Sequence, residues 1–186
     1  EILIEVEKME QKDPEVYRIF LDIGKGLSIS EETMDVFFEK GVAIDKHYYQ
    51  LYLQRAQSLM PRWGGGPGEL AAFAERSADF VGGTDGDIIY AKIVAFIITW
   101  FHNVGPERFL EIGFSYERAK QGHIEFLKGY PDADYYLNSY CLIAAIYDDK
   151  ETAKELFAKI GNNWNAHIWK RQVHFDKYKN QIFNEE

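Results

Sequence analysis

The chain of 186 residues is 46% hydrophobic and 27% charged, a composition that excludes bulk disorder and suits one globular domain, 1–186. Thirty acidic against 21 basic side chains leave a net charge of −9, a field that repels phosphate backbones and sets nucleic acid aside as a partner. The lone cysteine, Cys141, excludes an internal disulfide framework and favours a reducing, cytoplasmic compartment.

The chain opens at Glu1 without methionine and reads as starting inside a helix, which leaves an exported form open. Asp13 before Pro14 is an N-cap with proline at the first helical position, opening a helix that ends near Gly24. Ser30 caps the next, whose face is Met34, Phe37, Phe38 and Gly41. Asp45 begins a third, with Tyr49, Tyr52, Leu53, Ala56 and Leu59 on one side, and Pro61 stops it. Pro67 starts a helix carrying Leu70, Phe73, Ala74, Ser77 and Val81, closed by Gly82-Gly83.

The segment from Asp87 to Phe101 is apolar on nearly every side and belongs at a centre covered by neighbours. Its longest run, Ile88 to Phe101, is interrupted by Lys92 and Thr99 and falls short of the roughly 20 apolar residues that span a bilayer, so no membrane is expected. Pro106 then begins a long helix through Phe109, Ile112, Tyr116, Ala119, His123 and Phe126. A pair follows, Asp132 to Tyr147 and Lys150 to Ile160, ended by Gly161, and the last helix runs from Asn165 towards Tyr178. The basic residues Lys170, Arg171, Lys177 and Lys179 suit the C-terminal end of that helix.

Apolar residues recur at helical spacing and nowhere alternate as in half-buried strands, which predicts an all-α fold of antiparallel helical hairpins. Leu137, Tyr140, Cys141, Ala144, Ala153, Phe157 and Ile160 stand at the spacings of the size-restricted positions of a tetratricopeptide-like hairpin. No constant period carries that template along the chain. An α-α superhelix and an irregular helical bundle both remain open.

Residues 60–69, Met-Pro-Arg-Trp-Gly-Gly-Gly-Pro-Gly-Glu, are the one segment whose composition propensity does not explain. One reading is an anion site, with free N–H groups at the start of the following helix, Arg62 as cation and Trp63 as stacking wall. Neither a preceding strand nor a Lys-Ser/Thr pair is present, so this is no phosphate-binding P-loop. The other reading is a turn in which Trp63 plugs the core and Arg62 bonds carbonyls at the end of the helix before it.

The Tyr- and Leu-rich helix before the loop, Pro61-Arg62-Trp63-Gly64-Gly65, Glu69 to Ala74, Gly86 to Ala91, and Ala153 to Gly161 together resemble an uncharacterised bacterial family. That family is marked by a P-[Arg/Lys]-W-G-G segment within a helical, distantly tetratricopeptide-like domain. The likeness covers roughly residues 45 to 170, so the N-terminal helices, 1–44, lie outside it and the helical-hairpin core is 45–178. It implies an α-helical fold and assigns no activity.

Chemistry-bearing motifs are few. His47, His102, His123, His167 and His174 include no H-E-x-x-H, and His167 and His174 lie about 10 Å apart along a helix, too far to share one zinc. Gly113 to Glu117 begins like a nucleophile elbow but ends in Glu, and Gly24 to Ile29 lacks the third glycine of a dinucleotide fingerprint. Thr84 to Asp87 suits a helix start better than a calcium loop, and Cys141 reads as a buried thiol. No cofactor, no metal site and no catalytic residue is implied.

Tyr, Phe and Trp make up 16% of the chain, and Tyr48, Tyr49 and Tyr52 with Trp63 form a candidate recognition patch. The leading expectation is a non-catalytic protein- or peptide-binding module. The alternatives are a small-molecule or anion-binding protein, or an enzyme, with its site at Arg62, Trp63, Gly64 and Gly65, or an immunity-type protein that neutralises a basic toxin.

Overall fold

Short polar side chains set where several of the helices begin, each satisfying a backbone N–H that the first turn leaves open. Asp13 accepts from the Glu15 N–H at 2.9 Å, Ser30 from Thr33 at 3.3 Å and Asp149 from Thr152 at 3.1 Å. The computed structural model describes residues 13–101 and 105–184; the expected helix under the first residues and His102 lie outside these. Among the described residues there are eleven α-helices, one 3-10 turn and no strand, an all-α fold.

The chain divides into two compact units at Phe73–Ala74. The first holds α1 (Pro14–Leu27), α2 (Glu31–Ile44), α3 (Tyr49–Ser58) and the 3-10 turn Pro61–Trp63. The division falls within α4 (Glu69–Val81), so no change of composition marks it in the sequence. In this first unit α1 and α2 form a hairpin against α3 around buried Tyr17, Phe20, Leu21, Met34, Leu51 and Tyr52. Phe20 meets Phe37 with ring centroids 5.2 Å apart, and Phe38 lies edge-on to Tyr52 at 5.2 Å.

The second unit is built on α5 (Gly83–Ile98), whose Ile93, Val94, Ala95 and Ile97 are inaccessible to solvent, as a helix apolar on all sides requires. It packs along α7 (Tyr116–Gly129) at a distance only glycine permits: a Cβ on Gly122 would stand 1.9 Å from the Asp87 carbonyl oxygen. Next to this pair stands the hairpin α8 (Asp134–Ile146) and α9 (Lys150–Ile160). All seven residues at the tetratricopeptide-like spacings, Leu137 to Ile160, are buried in it. The short helices α6 (Pro106–Leu110) and α10 (Ala166–Trp169) and the terminal α11 (Gln172–Asn184) complete the unit.

Several boundaries differ from the sequence reading, each for a local reason. The long helix expected from Pro106 is two helices, because Ser115 leaves the helical conformation to cap α7 and gives its own N–H to the Tyr90 hydroxyl at 2.7 Å. The expected last helix is also two, broken where Lys170 adopts φ 62° after Trp169 has turned inward. α1 runs on past Gly24 to Leu27, since Ser28 in the left-handed region closes it through Gly24 and Lys25 carbonyls. α3 starts at Tyr49, the Asp45 side chain having spent itself on a turn by accepting the His47 N–H at 2.8 Å.

Candidate functional site

The loop after α3 is ordered by its own backbone. The Trp63 N–H and the Gly65 N–H both reach the Met60 carbonyl, at 2.8 and 3.3 Å, while the Gly64 N–H bonds the Pro61 carbonyl at 3.2 Å. A Cβ on Gly65 would stand 1.9 Å from the Leu59 carbonyl oxygen, so the loop closes this tightly only with glycine there. The Gly66 N–H bonds the Glu69 carboxylate at 2.8 Å, which resembles the reach-back of a capping box. Thus Gly64, Gly65 and Gly66 spend their N–H groups inside the loop. An anion there would have to displace a carboxylate already in place.

Trp63 does not plug the core. Its side chain stays 40% exposed while Met60, three residues earlier, is buried and anchors the turn. Two cations lie over its ring, the Arg62 guanidinium carbon 5.1 Å and the Lys25 Nζ 5.5 Å from the centroid. Lys25 is held in position by Gln57 Oε1 at 2.5 Å and Asp22 Oδ1 at 3.1 Å. A tryptophan with cations on its face is a stabilised pair, worth about 0.5–1 kcal/mol at exposed sites.

The tyrosines of the expected patch do not join Trp63. Tyr48 precedes α3 and Trp63 follows it, and a helix of this length separates its ends by about 15 Å. Tyr52 is wholly buried and donates to the Lys46 carbonyl at 2.7 Å; burial pushes its phenol up to about 12. Tyr48 donates to Glu15 Oε2 at 2.6 Å, and that bond to a carboxylate pushes its phenol up to about 12. Tyr49 is half-buried.

The second unit contains polar groups that sequence reading passed over. His123 is fully buried, stacked on Tyr140 at 5.1 Å, its Nδ1 2.7 Å from the Ala119 carbonyl and its Nε2 3.3 Å from Ser139 Oγ. A carbonyl only accepts, so Nδ1 carries the proton and Nε2 is left as an acceptor, while the single Ser139 hydroxyl proton is also claimed by the Tyr136 carbonyl at 3.0 Å. This Ser–His pair is sealed from solvent, and burial lowers the imidazole to about 4, so it is a structural pair rather than a nucleophile and base. Lys92 lies half-buried between Phe126 and Tyr136, with Nζ 4.1 and 4.5 Å from their centroids. Burial lowers its ammonium to about 8.

Cys141 is buried and its thiol is pushed up by desolvation. Among the described residues no group of three or more His, Cys, Asp or Glu side chains is placed to hold a metal ion, and no helix is long and apolar enough to cross a membrane.

Among the described residues, clefts in the second unit include two that the glycine-rich loop does not line. One is a shallow groove between the start of α8 and the end of α9, beside Asp132, Asp134 and Trp164. The other, of about 170 Å³, has walls of Ile98, Phe109, Leu142, Ile146 and Trp169. Nothing in the linear pattern singles out these five residues, since each reads simply as core.

Comparison of the chain with protein-family models, with curated proteins and with solved structures gives no match.

Proposed function

We propose that this chain is a helical protein- or peptide-binding module that acts through the Trp63 loop and not by catalysis. The observation that carries the reading is a tryptophan held 40% exposed on a loop whose glycine N–H groups are internally bonded. A rigid loop loses little conformational entropy when it binds, and Trp and Arg are the residue types that most often dominate an interface. Arg62 and Lys25 lie over the Trp63 ring, with the Asp22 and Glu69 carboxylates close by, and this mixture of an aromatic face and charged groups suits a polar partner segment bearing carboxylates or amides.

The test is selection from a displayed peptide library on the wild-type protein, followed by affinity measurement against Trp63→Ala and Arg62→Ala. Both residues are exposed, so the variants should melt like the wild type. Selected peptides should bind Trp63→Ala about thirty-fold more weakly, the loss typical of a dominant interface residue. Peptides that bind both variants as tightly as the wild type would place recognition elsewhere and defeat the proposal.

A further inference from the structure

The cleft walled by Ile98, Phe109, Leu142, Ile146 and Trp169 differs from an ordinary packing gap in what stands at its mouth. α11 brings His174, Lys177 and Tyr178 there, and none of the lining residues is acidic. The Lys177 ammonium makes no hydrogen bond or ion pair to any described residue, and neither does the Tyr178 hydroxyl. Tyr178 is instead held by its ring, 5.9 Å from that of Trp169, and His174 by its Nδ1, 3.1 Å from the Trp169 carbonyl. Burial first, and Glu107 second, push the Tyr178 phenol up, so at neutral pH it stays a protonated donor. An apolar pocket beneath a cation and a hydroxyl that have no polar partner among the described residues is complementary to a chain with a carboxylate at one end.

We propose that the second unit binds a medium-chain carboxylic acid, with its alkyl tail between Leu142, Ile146 and Trp169 and its carboxylate at Lys177 and Tyr178. The volume, about 170 Å³, is below the roughly 300 Å³ of drug-sized sites and limits the ligand to a short single chain. Lys177 is exposed and Ile146 half-buried, so the two ends of the site can be altered separately.

The experiment is calorimetric titration of the whole chain with hexanoate and octanoate, with octanol and octylammonium as head-group controls. Octanoate should saturate at one per chain. Hexanoate, two methylenes shorter, should bind about fifteen-fold more weakly. Octylammonium should bind at least about ten-fold more weakly than octanoate, because the Lys177 ammonium repels it and gives it no counter-ion. Lys177→Glu should weaken octanoate about ten-fold and leave octanol unchanged, and Ile146→Phe, which narrows the pocket, should weaken both. The proposal is overturned if octanoate does not saturate, if octylammonium matches it, or if Lys177→Glu leaves its affinity unaltered. A melting curve for each variant separates lost binding from lost folding.

Discussion

The indole N–H of Trp169 donates to the side-chain oxygen of Asn138 at 2.8 Å, in a place where neither residue has meaningful solvent access. The same oxygen accepts the Asn165 N–H at 3.0 Å, while the Asn138 amide donates to the Asp134 carbonyl and carboxylate, each at 2.9 Å. Asp134 also accepts from the Asn165 side chain. This one amide therefore ties the start of α8 to the cap of α10 and seats Trp169 against Phe157 and Phe175.

Replacing Asn138 by Leu leaves a buried donor, Trp169 Nε1, and a part-buried one, the Asn165 N–H, without their acceptor. At about 1–3 kcal/mol for each such group, the variant should lose roughly 3 kcal/mol, read from its urea midpoint. Trp169→Phe removes the indole donor and keeps a ring, so it should cost less in the Asn138→Leu background than in the wild type. Equal costs in the two backgrounds would show that the Trp169–Asn138 bond is not what matters.

Arg55 in α3 is only 3% exposed and reaches Asp35 and Glu31, each at 2.7 Å, and Ser58. Its two carboxylate partners are more than half exposed. The asymmetry sets the expected order of effects. Arg55→Met frees two acids that water can solvate and should cost about 1 kcal/mol or less. Removing both acids, Glu31→Ala with Asp35→Ala, strands a buried guanidinium and should cost about 3 kcal/mol. Chemical denaturation of the two variants checks the order, which a purely surface ion pair would not produce.

His123 makes stability depend on pH in one direction. Burial lowers the folded imidazole to about 4 from an ordinary 6.5, so between those values the unfolded chain binds a proton that the folded chain refuses. Stability is therefore unaffected by this group above pH 6.5 and falls as the pH drops towards 4, by up to about 3 kcal/mol. His123→Phe keeps a ring on Tyr140 and should flatten that part of the profile. If the wild-type and variant profiles run parallel from pH 6.5 to 4.5, the imidazole is not the source.

At Lys92, two effects oppose one another. The rings of Phe126 and Tyr136 attract the ammonium, which also donates to the Tyr136 hydroxyl at 3.2 Å, whereas loss of water penalises it and lowers it to about 8. Lys92→Met keeps the length and removes the charge, so it should stabilise the protein at pH 7. Full conversion of the shift would give about 3 kcal/mol, but the group is only half-buried, and roughly 1 kcal/mol is the expected gain. A lower melting temperature in Lys92→Met would reverse the ranking of the two effects.

Helix content was legible because apolar side chains returning every three to four residues fit no other element, and the caps at Asp13 and Ser30 are local chemistry. The inward face of the α8–α9 hairpin was legible for the same reason, down to Leu137 and Ile160. The special character of residues 60–69 also showed in composition alone. Which of two readings applied to Trp63 did not, because a ring beside a glycine run can turn either way, and only the packing of Leu59 and Met60 decided that it faces outward.

Sequence by itself thus determined the element type, most helix starts, and the loop that breaks the pattern, all of which depend on residues a few positions apart. Tertiary structure alone decided the rest. Tyr52 went inward while Trp63 stayed out, Ser115 left its helix for Tyr90, and Lys177 and Tyr178 came to the mouth of a cleft walled from α5, α6 and α8. Each outcome depends on groups distant in the chain competing for the same donor, acceptor or volume, and linear spacing carries no record of that competition.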